Sequence, residues 1–246
     1  MQIIEELLND DYSIEQAEEL QIKYQNLLNH LPENKFELNL KAIKNIVGLD
    51  ISYFKKESKE YGVACAVVWN FKQKMMESYY LTKGFIKFPY KPGFLGFREC
   101  KLLATVISRL PNKPDLIICD GHGKIHPKKF GEAVHLGLAL DIPSIGVAKN
   151  PFCGYYNSQK IQYIKGDKTP IWEVDPKLNV EAISNELLGY AICLNNNLKP
   201  VFISVGYKIS LDTAINVCLE LTNKHRLPEP LFLADKLSRK EVINYH

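Results

Sequence analysis

The stretch Ile46-Val47-Gly48-Leu49-Asp50-Ile51 decides the fold of this chain. Apolar and β-branched residues dominate it, which is typical of a strand buried on both faces of a sheet. One carboxylate, Asp50, interrupts the run, and a buried charge is costly unless it is paired or bound to a metal ion. Two further strand-like runs follow, over 63–69 and 75–81, with charged turn residues between them. Three strands in succession predict an antiparallel meander that contains Asp50.

The later part of the chain alternates apolar strands with helices. The short run Leu116-Ile117-Ile118-Cys119 precedes a helical pattern over 130–140 and a second strand over 145–148. A strand–helix–strand unit of this kind requires parallel pairing. The other predicted elements are helices over 13–29, 94–109, 211–222 and 234–242, a hairpin around Gly166 and a strand over 201–205. We therefore expect an α/β fold, a mixed sheet of five or more strands with helices packed on it. A single domain would span 1–246, with the helix over 13–29 packed against it.

Composition narrows the class of protein. The 246 residues carry 31 Lys and Arg against 28 Asp and Glu, a net charge of +3, and 46% are hydrophobic. These values exclude a disordered or fibrous chain, and the net charge alone does not indicate a nucleic-acid partner. Six scattered cysteines without a Cys-x-x-Cys pair favour reduced thiols in a reducing compartment. Because the N-terminus is acidic and lacks a long apolar stretch, we expect no signal peptide and no membrane span. The expected location is the cytoplasm, or the nucleus in a eukaryote. A monomer is the default expectation for the assembly.

Three carboxylates form the candidate catalytic set. Asp50 lies within a buried strand, and Asp120 follows a parallel strand at the edge where open α/β sheets bind ligands. Glu99 lies near the start of the helix over 94–109. Each residue alone is also compatible with a cap, a turn or a surface acid. Together they suit a hard divalent cation such as Mg²⁺, which can activate a water nucleophile and neutralise charge on a phosphodiester.

The residues after Asp120 read Gly121-His122-Gly123-Lys124-Ile125-His126-Pro127. Glycines allow a ligand to approach the backbone, and histidine and lysine donate hydrogen bonds to phosphate. The spacing matches neither a Walker loop nor the helix of a zinc peptidase, and a flexible surface loop is the alternative. Lys149 would lie at the same sheet edge, although an exposed strand-end lysine would look the same in sequence.

Basic residues cluster beside these acids. The clusters are Lys83, Lys87, Lys91 and Arg98, and Lys124, Lys128 and Lys129. A solvated surface is the ordinary explanation of such a cluster. Since both clusters adjoin candidate catalytic carboxylates, contact with a phosphate backbone is a second explanation.

Several ordered segments resemble the motifs of the endonuclease V family. They are 47–52, 88–99, 120–127, 142–149, 204–206 and 226–230, and they follow the family order from about residue 10 to about residue 240. The ordered set is far more specific than any one block. The resemblance implies a ribonuclease H-like fold and metal-dependent cleavage of nucleic acid beside deaminated adenine (hypoxanthine). The cut would fall at the second phosphodiester on the 3′ side of the lesion, leaving 3′-hydroxyl and 5′-phosphate ends.

The resemblance also implies site residues, position by position. Asp50 and Asp120 match the family's metal aspartates, and Glu99 matches its third catalytic carboxylate, which completes the metal site or orients the attacking water. His126 and Lys149 match residues near the scissile phosphate, and Asp235 matches an acidic-or-histidine position in the outer shell of the metal. Tyr90 matches the tyrosine of a wedge that separates the lesion from its stack. The implied substrate-binding set is Tyr90, Pro89, Gly93, Gly121, His122 and Gly123. The implied cofactor is Mg²⁺, with Mn²⁺ as a substitute, and the implied partner is DNA or RNA that contains inosine.

Two departures from the family pattern leave alternatives open. Lys91 and Pro92 follow Tyr90 where an apolar residue is common, and Tyr207 stands where histidine is frequent. The preference for DNA or RNA therefore stays open, and one alternative is an inosine-specific endoribonuclease with little DNA activity. A non-catalytic lesion binder is the other, although clustered acids beside phosphate would serve no purpose in it. For Asp235 the alternative role is a helix cap or a surface acid.

Overall fold

The computed structural model describes residues 3–30, 38–177 and 185–245. Within these ranges the chain forms five α-helices: α1 (Ile14–Asn29), α2 (Leu95–Ile107), α3 (Glu132–Leu140), α4 (Leu211–Glu220) and α5 (Glu229–Ile243). The strands are β1 (Asn45–Lys56), β2 (Lys59–Asn70), β3 (Met75–Phe85), β4 (Leu116–Cys119), β5 (Ser144–Ala148), β6 (Lys168–Trp172), β7 (Leu187–Ile192) and β8 (Val201–Tyr207). They form a single sheet in the order β3-β2-β1-β4-β5-β8-β7-β6.

The first five strands confirm the predicted meander and parallel units. β1 pairs antiparallel with β2, and β2 pairs antiparallel with β3. On its other side β1 pairs in parallel with β4, which pairs in parallel with β5. This mixed sheet with helices packed on it is the ribonuclease H-like arrangement that the sequence predicts. The carboxyl ends of β1, β4 and β5 consequently meet at one edge of the sheet.

Two helical layers cover the sheet. α2 and α3 pack on one face over a core that includes Val47, Leu49 and Ile117, and α4 and α5 pack on the other face over Ile46, Ile118 and Val147. Gly48 lets α5 cross β1 closely, because a Cβ atom at this position would overlap the backbone of Pro230. The close crossing brings the residues of α5 over the middle of β1.

Three boundaries differ from the sequence prediction. β1 extends to Lys56 and β2 begins at Lys59. The sequence does not predict this extension, because the outer part of the hairpin is polar and carries no apolar pattern. The prediction of a hairpin around Gly166 is wrong. Gly166 lies in a turn with φ +89°, and the strand that follows it, β6, pairs with β7. The strand β7 is not predicted from the sequence. The last helix begins at Glu229 rather than Ala234, because Pro230 stands in its first turn, where a missing N–H is harmless.

The N-terminal helix is fixed at both its start and its middle. Ser13 caps α1 and forms a capping box with Gln16, whose backbone N–H donates to Ser13 Oγ over 3.2 Å. The buried side chain of Gln21 donates from Nε2 to the carbonyl of Gly93 over 2.7 Å, tying α1 to the loop before α2.

None of the helices in the described ranges has the length and apolarity that crossing a membrane requires.

Candidate active site

Three aspartates meet at the carboxyl edge of the sheet. Asp50 comes from β1, Asp120 follows β4, and Asp235 lies in the second turn of α5, above Gly48. Each offers a carboxylate oxygen, and these oxygens all lie within 4.8 Å of one another. Because Asp235 lies well inside α5, the helix-capping alternative for this residue is wrong. We call Asp50, Asp120 and Asp235 the aspartate trio.

The trio has the donor chemistry of a hard-cation site. Oxygens on opposite sides of Mg²⁺ are separated by about 4.2 Å, twice the Mg–O distance, and Mn²⁺ accepts a looser geometry. The spacing of the trio is therefore close to what such a cation needs. Burial, together with the charges of Asp120 and Asp235, raises the pKa of Asp50 to about 7, so a bound cation would relieve the repulsion among these carboxylates.

Hydroxyl and cationic side chains surround the trio. Ser238, on α5, donates to Asp50 Oδ2 over 2.6 Å, and its oxygen lies 2.8 Å from the hydroxyl of Ser52. Lys149 Nζ donates to Asp120 Oδ2 over 2.6 Å and lies 3.9 Å from Asp235 Oδ1. Arg239 Nε donates to Asp235 Oδ1 over 2.8 Å. Lys149 is predicted from the sequence, whereas Ser238 and Arg239 are not. These two residues reach the trio only because α5 crosses β1.

Arg226 holds the lysine in place. Its guanidinium donates to the backbone carbonyl of Lys149, and to that of Pro200 over 2.7 Å. It thus joins the end of β5 to the turn before β8. Arg226 belongs to a motif that the sequence analysis matched as a block, without a role for this side chain.

Glu99 lies across the same cavity but outside the trio. It projects from α2, is only 8% exposed, and accepts a hydrogen bond from the hydroxyl of Tyr53. The guanidinium of Arg98 lies over the Tyr53 ring, 4.7 Å from its centroid, and donates to the carbonyl of Phe88 over 2.7 Å. The cavity of about 560 Å³ is lined by both Glu99 and the trio. Glu99 therefore faces the reaction space from the α2 side of the sheet.

Glu132, which the sequence analysis missed, stands behind Glu99. It begins α3, is 3% exposed and also lines the cavity. Burial raises the pKa of Glu99 to about 7, and burial together with the neighbouring Glu99 raises the pKa of Glu132 well above its ordinary value. Two adjacent buried carboxyl groups with raised pKa values favour keeping a proton, because only a protonated carboxyl group can donate to the other. Glu99 and Glu132 form a second acidic group, here called the glutamate pair.

The loop that carries Tyr90 leaves this side chain in solvent. Tyr90 is 73% exposed, which rules out a tyrosine buried beneath the loop. Gly93 has φ +87°, a conformation that favours glycine, and its carbonyl accepts hydrogen bonds from Gln21 and from His126 Nε2, the latter over 3.0 Å. Phe88 and Phe94 anchor the loop against Phe97 of α2. Pro89 and Tyr90 thus form an exposed tip on a fixed base.

Of the two predicted loop histidines, His126 is buried beside Gly93 and His122 is half-buried against Phe152. Burial lowers the pKa of His122 and of His126 to about 4, so both rings are neutral at pH 7. The Nε2 of His126 donates to Gly93, and its Nδ1 accepts from the N–H of Lys128 over 3.2 Å. His122 stacks on Phe152 with ring centroids 5.9 Å apart. In this arrangement His126 braces the Tyr90 loop, and its ring does not bond to the trio.

The other predicted substrate-binding residues flank this region. Gly121 and Gly123 follow Asp120, and the N–H of Gly123 donates to the buried hydroxyl of Ser204 over 2.9 Å. Tyr207 pairs with Ser144 at the start of β5, the end of the strand opposite to Lys149, and its hydroxyl donates to Asp141 over 3.3 Å. Tyr207 therefore lies away from the trio.

Comparison with known proteins agrees with this geometry. The sequence model described as Endonuclease V matches residues 27–236. The endonuclease V of Dictyoglomus turgidum is 37% identical over 208 residues, which cover 85% of this chain and 82% of that protein. The crystal structure of the Bacillus subtilis endonuclease V superposes with a TM-score of 0.85 at 28% identity, covering 100% of this chain and 98% of that one.

A third structure contains nucleic acid. The Ciona intestinalis endonuclease V, in complex with a 24mer DNA containing an inosine followed by a ribo-adenosine, has a TM-score of 0.76 and 28% identity. The alignment covers 94% of this chain and 100% of that one. All three kinds of match extend over most of the chain. In this chain the three predicted carboxylates, Asp50, Glu99 and Asp120, line one cavity. The chain belongs to the endonuclease V family and is a nuclease.

Proposed function

We propose that this chain is a divalent-cation-dependent endonuclease that cuts inosine-containing nucleic acid at the second phosphodiester on the 3′ side of the inosine. The aspartate trio, with its oxygens within 4.8 Å, is the observation that carries this proposal. The Ciona intestinalis relative crystallised with inosine-containing DNA supports the substrate class. Mg²⁺ is the proposed cation, with Mn²⁺ as a substitute, because all three donors are carboxylates.

The side chains divide the work of phosphodiester hydrolysis. A cation held by Asp50 and Asp120, with Asp235 orienting one of its waters, would neutralise charge on the phosphate and make water a better nucleophile. Lys149, bonded to Asp120, lies where it can offset charge that develops on the phosphate oxygens. Glu99, with its raised pKa, can hold or accept a proton on the α2 side of the cavity. His126 fixes Gly93 and so positions the Tyr90 loop.

The decisive experiment is a cleavage assay on matched oligonucleotides. DNA and RNA strands with one inosine, and controls with adenosine in its place, are incubated with the protein in the presence and absence of Mg²⁺. We expect cation-dependent cleavage of the inosine strands only, with products whose length places the cut between the first and second nucleotides on the 3′ side of the inosine. Cleavage of RNA alone would support the endoribonuclease alternative, and tight binding without any cleavage would support the lesion binder.

Tyr90 is the proposed wedge that takes the place of the lesion in the base stack. Its exposure and fixed loop reduce the entropy that insertion between bases would cost. Stacking of an aromatic ring on a base contributes about 1–3 kcal/mol, so Tyr90→Ala should weaken lesion binding by about tenfold to a hundredfold. Tyr90→Phe keeps the ring and is the matched control. Equal losses in the two variants, measured by equilibrium binding, would assign the effect to the hydroxyl and contradict stacking.

The free thiols fit the expected cellular setting. All six cysteines are free thiols and five of them are buried, which suits the reducing cytoplasm or nucleus.

We propose a single-domain monomer, and light scattering on the full chain measures this directly. A mass of twice 28.1 kDa at working concentration would contradict it.

A further inference from the structure

A row of aromatic rings crosses the outer end of β1, β2 and β3. Phe54 stacks on Tyr61, with ring centroids 5.4 Å apart, and Phe85 meets Tyr61 edge-on at 5.8 Å. Tyr245, which follows α5, stacks on Phe54 at 5.1 Å. Phe54 is 5% exposed, whereas Phe85 is 47% exposed at the edge strand of the sheet. The row is therefore anchored at one end and open to solvent at the other.

This row lies on the same face of the sheet as the aspartate trio. Side chains alternate along a strand, so Asp50, Ser52 and Phe54 share the face that α5 covers. At about 3.3 Å per residue, Phe54 lies about 13 Å beyond Asp50 along β1. Arg239 and Val242 of α5 line the catalytic cavity, and Tyr245 follows Val242 by three residues. The aromatic row is thus continuous with the cavity along α5.

Positive charge accompanies the rings. Lys56 and Lys59 are directly opposite each other at the tip of the β1–β2 hairpin, on the same face as Phe54 and Tyr61. Like charges in this position are destabilising, and neither ammonium forms an ion pair with a residue that the structure describes. Lys83 lies over the Tyr245 ring, 4.2 Å from its centroid. Three acids of the described part of the chain lie nearby. Glu60 is directed to the opposite face, where it pairs with Arg98, Glu241 accepts from the hydroxyl of Tyr245 over 3.0 Å, and Glu57 lies in the turn between the two lysines.

Stacking rings beside unpaired lysines are the features with which proteins hold single-stranded nucleic acid, since every base has a stacking face and every nucleotide a phosphate. The Tyr90 loop packs against α2 on one face of the sheet, whereas the trio and the aromatic row share the face that α5 covers. A strand whose lesion is at Tyr90, and which is cut 3′ of it at the trio, would pass from the α2 face to the α5 face at the cut and continue in the 3′ direction along the α5 face toward the row.

We propose that Phe85, Tyr61, Lys56, Lys59 and Lys83, here called the tip patch, bind the nucleotides on the 3′ side of the cut. Phe85 stacks on a base, and the three lysines bind phosphates. This inference rests on the proposed function for the polarity of the strand, and it extends the substrate site beyond the cleaved bond. It also gives a reason for the unfavourable Lys56–Lys59 pair, because bound phosphate would relieve the repulsion.

The test compares substrates that differ only in the 3′ flank. Single-stranded inosine oligonucleotides carry about three or about twelve nucleotides beyond the cut, one below and one within the roughly 4–16 nucleotides that single-strand-binding folds occupy. For Phe85→Ala we expect KM on the long flank to rise about tenfold, in line with the loss of one stacked base, and KM on the short flank to stay unchanged. Tyr79→Ala is the matched control, because Tyr79 is equally exposed, at 47%, on the same face of β3 but far from the tip.

A second variant keeps the test independent of folding. Lys56→Ala combined with Lys59→Ala removes a repulsive pair, so its melting temperature should not fall, whereas its long-flank KM should rise. The salt dependence of binding should also become shallower, by about 0.7 for each phosphate of the single strand that the variant no longer neutralises. Wild-type KM in both variants, an equal loss on the short flank, or a loss that follows the 5′ flank would each overturn the tip patch.

Failure of the tip patch and failure of the proposed function give different results. Affinity of the full chain for an inosine-free single strand of about twelve nucleotides, measured in Mg²⁺, tests the patch without any cleavage. If the wild type cuts inosine strands normally and Phe85→Ala binds this strand like the wild type, only the patch is wrong. If the wild type does not cut inosine strands, yet Phe85→Ala still weakens binding, only the proposed function is wrong.

Discussion

Two acidic groups line one cavity and differ in their exposure and in their bonded partners. The aspartate trio is partly open to solvent and is bonded to Lys149, Arg239 and Ser238. The glutamate pair is buried, and the hydroxyl of Tyr53 donates to Glu99. The same carboxyl chemistry therefore serves two purposes: the trio offers charge to a cation, and the pair retains a proton. What separates them is the supply of neighbouring positive charge, not the type of residue.

The largest expected effect comes from removing charge from the trio. Asp120→Asn keeps the shape of the side chain, and we expect cleavage to fall about a thousandfold or more, since a metal ion supplies several kcal/mol of transition-state stabilisation. Folding and most substrate affinity should remain, because other phosphate contacts supply the affinity. Single-turnover rates and a thermal scan measure both. The control is Asp212→Asn on the exposed face of α4, and a wild-type rate for Asp120→Asn would remove Asp120 from the site.

The third member of the trio should have a smaller and metal-dependent effect. Asp235→Ala should slow Mg²⁺-supported cleavage by about 10–100-fold and Mn²⁺-supported cleavage less, because Mg²⁺ demands near-ideal octahedral geometry. Asp50→Ala should abolish cleavage in both metals. Arg239→Ala leaves the carboxylate of Asp235 in place and should cost less than Asp235→Ala. An unchanged ratio of the Mg²⁺ and Mn²⁺ rates in Asp235→Ala would contradict this role.

The glutamate pair should be visible in the pH dependence of stability. Its raised pKa values mean that the folded protein keeps protons which the unfolded chain releases above about pH 4.5, so its contribution to the unfolding free energy falls as pH rises towards 7. His122, His126 and His135 oppose this trend only below about pH 6.5, because their pKa values are lowered to about 4. Above pH 6.5 these histidines are neutral in both states, so the effect of the glutamate pair is best measured there.

Glu132→Gln isolates the contribution of the pair. The amide keeps the shape and can donate to Glu99, so at pH 8 we expect its melting temperature to exceed that of the wild type by a few degrees, at about 2–4 °C for each kcal/mol. At pH 5.5 the difference should shrink. Thermal scans without divalent cation measure both values, with Glu19→Gln on the exposed face of α1 as control. The same melting difference at both pH values would mean that the pair holds no extra proton.

The smallest effect should come from Ser238, which donates to Asp50. The hydrogen bond lowers the pKa of Asp50, so Ser238→Ala should raise that pKa further above its ordinary value. We expect the acidic limb of the kcat/KM profile to move up by about one pH unit, since a hydrogen bond to a charged group contributes about 1.5–3 kcal/mol. Ser52→Ala, which touches Ser238 but not Asp50, should move it less. Identical profiles for wild type and Ser238→Ala would deny Ser238 this role.

The sequence predicted the trio better than the pair, for a physical reason. Asp50 and Asp120 interrupt or end apolar strands, and a charge in such a setting requires an explanation. Glu132 stands at the start of a helix, where an acidic residue is ordinary because it interacts well with the helix dipole. Only the packing of α3 against α2 shows that its carboxyl group is buried beside Glu99.

The meander and the parallel units were predictable because each strand is apolar enough to be seen alone. The hairpin tip was not, since residues 52–61 are polar or aromatic and are held by pairing between β1 and β2. The hairpin expected around Gly166 failed because its strand pairs with a partner distant in sequence. Arg239 and Ser238 reach the trio only through the close crossing at Gly48, a contact that depends on tertiary structure.

The crossing at Gly48 has a consequence for protein synthesis. The ribosome delivers Asp50 and Asp120 long before Asp235 and Ser238, which both reside on α5. During synthesis the meander and the parallel strands can therefore form before the third carboxylate is available. We expect a chain without a packed α5 to cleave more slowly than the complete fold, because α5 alone brings Asp235 and Ser238 over β1. Full activity is thus expected last, once α5 has packed across Gly48.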